Sequence, residues 1–265
     1  MQVRLSLYPG GKRKALTMSY DDGQIHDRRL VAIFNRHGIK GTFHLNSGFL
    51  GRKDMLHADE VGSLFAGHEV SAHSVGHPFL SRLPREELAE QILADRQTLE
   101  ALTGGPVRGM SYPFGDYNDA VLSALPALGI EYSRTTLSHG RFSVPDNFLL
   151  WHPTCHHEDR LMERLKQFQS AAGWGQMPLF YVWGHSYEFD RNCNWELIEG
   201  FCAAAAHDPD VWYATNVEIM DYLTAQRSLK FSVDRTKVYN PSAISVWIET
   251  DGQPVAIQPG ESKAL

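Results

Sequence analysis

Short apolar runs alternate along the chain with longer stretches whose apolar positions recur at three- and four-residue spacing. The short runs predict strands at Ala15–Tyr20, Gly41–Leu45, Glu69–Ala72, Gly109–Tyr112, Glu131–Thr135, Phe148–Trp151, Leu179–Trp183 and Val211–Ala214. The longer stretches predict helices near Asp27–His37, Pro84–Leu102, Asn118–Leu128, Glu158–Ala172, Asn194–His207 and Val217–Gln226. The clearest is Pro84–Leu102. Leu88, Ile92, Leu99 and Leu102 line one face, proline and two glutamates occupy the first turn, and Gly104-Gly105-Pro106 stops it. Strand-helix repetition at this spacing implies a parallel sheet, and seven or eight repeats favour a closed barrel over an open sheet. The expected fold is therefore α/β, a (β/α) barrel of seven or eight parallel strands over residues 1–227. After Arg227 the period changes. "LKFSVD", "AISVWIET" and "PVAIQ" alternate as strands do, and Asp251-Gly252 is placed to turn a hairpin. Residues 228–265 read as a small β appendage, too short for an independent domain.

In a barrel of this kind the chemistry gathers at the C-terminal ends of the strands. Those positions hold Tyr20-Asp21-Asp22-Gly23, His73-Ser74-Val75-Gly76-His77, Tyr112-Pro113-Phe114-Gly115, Arg134, Trp151-His152 and Gly184-His185-Ser186. Two adjacent carboxylates repel each other, so a fold that keeps Asp21 beside Asp22 needs a use for both. A solvated turn or a helix cap is one use. A metal site is a better one: one carboxylate binds the cation, and the other stays ionised to take a proton from water. His73-x3-His77 has the spacing of two imidazoles on one ion. Alone it is a weak signal, since His152-x3-His156 repeats it. Its place after a strand, in a chain with an Asp-Asp pair after another, gives it weight.

Taken in order, "SYDDG", "HSVGH", "SYPFG" and "VWGHS" resemble the motifs of the polysaccharide deacetylase family of metal-dependent carbohydrate esterases, over about residues 14–225. That family's fold is a distorted (β/α) barrel. By position, the resemblance implies Asp21 as general base, Asp22, His73 and His77 as ligands of one divalent ion, and His185 as general acid. It further implies an oxyanion contact from the Phe114 backbone N–H. Zinc is the first expectation, with cobalt, nickel, manganese or iron also compatible with such ligands. Two departures stand out. The family's base-orienting arginine is replaced by Ser111, and its acid-and-tryptophan motif gives way to "NFLLWHPTCHHED". Arg134, at the end of the next strand, is the expected surrogate partner of Asp21. Tyr112, Phe114, Trp151 and Glu188 are expected on the substrate side, Trp151 being equally readable as a core aromatic. His152, His156 and His157 are expected to decorate a loop.

Composition narrows the rest. The net charge is -6 and no basic block appears, which argues against nucleic-acid partners. No apolar run is long enough for a transmembrane helix. The N-terminus does not read as a signal peptide, and Cys155, Cys193 and Cys202 are odd in number and scattered, so a cytoplasmic protein without disulfides is expected. The leading function is removal of acetyl groups from an N- or O-acetylated carbohydrate. One competitor is an amidohydrolase acting on a small cyclic amide. Another is a catalytically silent carbohydrate-binding barrel that stacks sugars on Trp151, Trp174, Trp183 and Trp195.

Overall fold

The first strand, β1 (Val3–Arg4), stands outside the main sheet, which begins with β2 (Lys14–Asp22). All of β2 but its last residue is buried. An apolar run covered on both faces is the mark of a central parallel strand. The computed structural model describes residues 2–171 and 176–265. Ala172, the expected end of one helix, and Trp174 lie outside them. The parallel strands continue as β3 (Gly41–Leu45), β4 (Glu69–Ala72), β5 (Gly109–Ser111), β6 (Tyr132–Arg134), β7 (Cys155–His156), β8 (Leu179–Gly184) and β9 (Val211–Tyr213). Their order is β6-β5-β4-β3-β2-β8-β7, with β9 paired to the first residues of β2. Beyond β6, Trp151 makes a parallel bridge to Arg134, and the Thr154 N–H donates to the Tyr181 carbonyl on the way into β7. The sheet thus curls toward itself as an incompletely closed α/β barrel: the strand-helix alternation predicts the barrel, and the resemblance its distortion.

The helices α1 (Asp27–His37), α2 (Ala58–Leu64), α3 (Arg85–Thr103), α4 (Asp119–Ala124), α5 (Leu161–Ser170), α6 (Ser186–Arg191), α7 (Trp195–Ala205) and α8 (Asn216–Ser228) surround the sheet. Leu88, Ile92 and Leu99 of α3 are buried, as their spacing requires. α1 ends on Gly38 in the left-handed conformation, which glycine adopts without a Cβ clash. α2 and α6 are short and were not expected from periodicity.

One strand expectation is corrected. Phe148–Leu150 forms a single 3-10 turn, capped by the Asn147 side chain accepting the Leu149 N–H. Pairing resumes only at Trp151 and then at β7, whose "CH" carries no apolar alternation to announce it.

The C-terminal segment forms β10 (Lys230–Phe231), β11 (Lys237–Tyr239), β12 (Val246–Thr250), β13 (Gln253–Ile257) and β14 (Ser262–Ala264). These build two three-stranded antiparallel sheets, β10-β11-β14 and β1-β12-β13. Asp251 (φ 48°) and Gly252 (φ 81°) close the β12-β13 hairpin, both left-handed as a two-residue turn demands. Because β1 belongs to the second sheet, the appendage is woven from both ends of the chain. Tyr222 of α8 accepts the Trp247 N–H at 3.0 Å and donates to the Leu7 carbonyl at 2.7 Å, fixing it to the barrel.

Candidate active site

Register decides which side chains meet. Asp21 pairs with His44 and Asp22 with Leu45 of β3, while Tyr20 pairs with Gly184 of β8. His185, the next residue, therefore emerges beside Asp21. Leu45 pairs with Ala72, and the His73 N–H donates to the Leu45 carbonyl at 3.1 Å. Ser111 pairs with Arg134. All of these residues leave the same end of the sheet. Four non-glycine residues on this rim hold left-handed backbone: Asp22 (φ 81°), Ser74 (φ 65°), His77 (φ 54°) and Phe114 (φ 57°). Each such residue costs about 1–2 kcal/mol, and strain of this kind concentrates at functional sites.

Asp22, His73 and His77 bring one ligand atom each within 4.8 Å of the others. Asp22 Oδ1 lies 3.7 Å from His73 Nε2 and 3.9 Å from His77 Nε2. The Nδ1 of His73 lies 2.9 Å from the Ser111 carbonyl and 2.7 Å from the Ser111 hydroxyl. The carbonyl can only accept, so Nδ1 carries the proton and Nε2 keeps its lone pair toward Asp22. That is the tautomer a cation needs. Asp95 supports the loop from below, accepting the Ser47 N–H at 2.8 Å and the His73 N–H at 3.0 Å. Burial pushes its carboxyl up to about 6.

Asp21 is 3% exposed. It accepts from the Arg134 guanidinium on Oδ2 and from the Ser111 hydroxyl on Oδ1 at 3.2 Å. Burial alone would raise its carboxyl, but Arg134, with His73 and His44, holds it well below the usual carboxylate range. Arg134 is fully buried, lies 4.4 Å above the Trp183 ring and donates to the Thr135 carbonyl at 3.1 Å. Ser111 thus touches both Asp21 and His73, a link that its place in the motif did not announce. His185 sets its Nδ1 3.2 Å from Glu188 Oε2, and the same oxygen accepts the His185 backbone N–H at 3.0 Å. Burial works against the His185 charge, but Glu188, Asp21 and Asp22 outweigh it and raise its pKa.

The remaining expected residues divide. Phe114 is 57% exposed, stacks on Phe79 at 4.2 Å and meets the His77 ring edge-on at 4.3 Å. Glu188 is buried against His185. Tyr112 is buried, with its hydroxyl donating to the Leu149 carbonyl. Trp151 is 1% exposed and packs edge-on to Tyr132, Tyr181 and Phe148. For Trp151 the core reading holds, because the bridge to Arg134 anchors its backbone inside the sheet. Trp195 is likewise a core residue. His156 and His157, expected on a loop, instead gather around Glu188.

Asp27, the last residue of "SYDDGQIHD", is 1% exposed, and among the described residues neither carboxylate oxygen has a well-formed hydrogen bond, with only the Ser186 hydroxyl nearby to favour its charge. Burial pushes its carboxyl up to about 8, and Asp22 and Asp21 add to the push. The folded state therefore keeps a proton that the unfolded chain releases near pH 4, and stability falls as pH rises between the two values. Asp27→Asn, which mimics the protonated acid, should raise Tm above wild type at pH 8 and match it near pH 4. An equal difference at both pH values would refute this.

The polysaccharide deacetylase family profile matches residues 9–133, a span that contains Asp21, Asp22, His73, His77 and the Ser111 turn. Over that span, just under half of the chain, the sequence is similar to the polysaccharide deacetylase family. Among curated relatives, chitin deacetylase 1 of Cryptococcus neoformans is 28% identical over 115 residues, covering 43% of this chain and 24% of that protein. The chitooligosaccharide deacetylase of Sinorhizobium fredii is 27% identical over 116 residues, covering 43% and 53%. The peptidoglycan-N-acetylglucosamine deacetylase PgdA of Listeria monocytogenes is 27% identical over 138 residues, covering 51% and 29%. The chain thus spans from about a quarter to about half the length of these relatives. Two solved structures share the fold. A Mycobacterium smegmatis protein provisionally described as a polysaccharide deacetylase superposes with TM-score 0.62 at 18% identity, covering 85% of this chain and 95% of that one. A family 4 carbohydrate esterase pseudoenzyme of Bacillus anthracis superposes with TM-score 0.53 at 17% identity, covering 80% and 66%.

Proposed function

We propose that the protein hydrolyses acetyl groups from an N- or O-acetylated carbohydrate, with Asp22, His73 and His77 holding one divalent cation, zinc by first preference. Two imidazoles and a carboxylate suit such an ion, and the fixed His73 tautomer supports its presence. When bound, the cation would polarise the acyl oxygen and offset the charge that develops on it. Asp21 is the general base: Arg134 on Oδ2 keeps it ionised, and Arg134 together with the Ser111 hydroxyl on Oδ1 fixes the orientation in which the carboxylate would meet the attacking water. His185 is the general acid: against the effect of burial, Glu188 raises its pKa, and it gives its proton to the departing sugar nitrogen or oxygen. Exposed Phe114 and Phe79 offer an aromatic wall at the mouth.

The observation that carries this reading is the continuous contact from Arg134 through Asp21 and Ser111 to His73, which ties the base to a ligand. A binding barrel has no need of an ionised, arginine-clamped carboxylate beside a cation. The fold likeness to a pseudoenzyme makes the test one of turnover. Zinc- or cobalt-loaded protein should release acetate from N-acetylglucosamine oligomers or O-acetylated oligosaccharides. Ring opening of a cyclic amide without acetate release would point to an amidohydrolase instead. Sugar binding without turnover under several metals would make it a binding barrel.

A further inference from the structure

Three imidazoles converge on Glu188, and only one of them, His185, has a place in the reaction proposed above. His156 ends β7 and His157 follows it, its N–H donating to the Trp183 carbonyl at 2.9 Å. Glu188 sits in the first turn of α6. Its Oε2 lies 3.1 Å from His156 Nε2 and 3.4 Å from His157 Nε2. Metal–ligand bonds of about 2.0–2.2 Å in a tetrahedral zinc site place neighbouring ligand atoms roughly 3.3–3.5 Å apart. The two distances are close to that edge.

His157 supplies the second observation. It is 1% exposed, and among the described residues neither ring nitrogen has a hydrogen-bond partner, while its Nε2 faces Glu188. A buried imidazole without partners is costly unless something else uses its lone pair. The ring is locked where it stands, stacked on Phe189 at 4.2 Å and packed on Gly184, where a Cβ would come within 2.0 Å of Nδ1. His156 has an outer partner. Its Nδ1 accepts the Glu158 N–H at 3.2 Å and lies 3.9 Å from the Glu158 carboxylate, which in turn accepts from Asn192 at 2.5 Å. A small shift toward that carboxylate would move the His156 proton to Nδ1 and free Nε2, the carboxylate–imidazole–metal arrangement of established sites.

We propose that His156, His157 and Glu188 form a second site for a divalent cation of the zinc class, separate from the Asp22–His73–His77 group. The site does not rest on the hydrolase reading. Its ion and the His185 imidazole face one carboxylate oxygen and compete for it.

The test is metal stoichiometry. Tag-free protein is loaded with zinc, dialysed against metal-free buffer and assayed by plasma mass spectrometry, with circular dichroism to confirm folding. Wild type should carry two equivalents. His156→Ala, at a partly exposed position, and the isosteric Glu188→Gln should each carry one. His73→Ala/His77→Ala should also carry one, and its cobalt form should keep an absorption band that adding His156→Ala abolishes. If both Glu188→Gln and folded His156→Ala keep the wild-type count, whatever it is, the second site is overturned. A single wild-type equivalent lost in His156→Ala but kept in His73→Ala/His77→Ala would support this site and overturn the first one.

Discussion

Alanine at both His73 and His77 is expected to empty the first cation site and reduce acetate release to background. After the substitution Asp22 is the one remaining ligand of the three. A single carboxylate on an exposed rim cannot hold a zinc-class ion against buffer, because affinity in such sites comes from several preplaced donors. His73 also links the site to the sheet through Ser111 and Asp95, so part of its loss is structural. His77→Ala alone is the milder control, since that ring is part-exposed and its contacts are to Phe114 and His73. The measurement belongs in a His156→Ala background, so that an ion on the Glu188 cluster is not counted. There the wild-type first site should hold one zinc and the double histidine variant none. One full equivalent in that variant, with folding intact, would refute the assignment of the three ligands.

The parts of the molecule legible in the sequence are those where one physical cause dominates. β3 and β4 match their expected limits residue for residue, because Gly38 and Gly67, both left-handed, end the helical stretches before them and leave a short run ahead of the next turn. The Asp21-Asp22 and His73/His77 pairs could be read because the chemistry needs those residue types at those spacings. Arg134 was legible only through the resemblance: Ser111 stands where the family has its arginine, and the next strand ends in a guanidinium on the same rim. Its burial and its seat on Trp183 come from cross-sheet register, which no local window contains. Trp151 resisted for the same reason, since an aromatic at a strand end reads alike as pocket wall or core. His156 and His157 were missed because β7 is two residues long and polar, so nothing in its pattern places it beside β8 and α6.

Arg134→Met should destabilise the fold by about 3–5 kcal/mol at neutral pH, the usual cost of removing one partner from a buried ion pair. Methionine keeps much of the volume over Trp183, so the loss is chiefly electrostatic. Asp21, 3% exposed, would be left with the Ser111 hydroxyl as its main remaining hydrogen-bond donor. The penalty belongs to the charge, and its pH dependence has a definite sign. Arg134 lowers the folded pKa of Asp21, so in wild type the pair contributes fully above the unfolded carboxylate value of about 3.9 and fades as pH falls through the lower folded one. The variant loses that contribution, and its deficit in urea midpoint should be largest at pH 7 and shrink in acid. Asp21→Asn removes the charge itself and should recover much of the stability when added to Arg134→Met, a coupling readable from the double-mutant cycle. The same substitution alone should keep the cation yet cut turnover by about 10²–10⁴-fold, since an amide cannot take the water's proton. Additive stability losses across the cycle would mean that the guanidinium serves the sheet rather than the base. Near-normal turnover in Asp21→Asn would remove that carboxylate from the reaction.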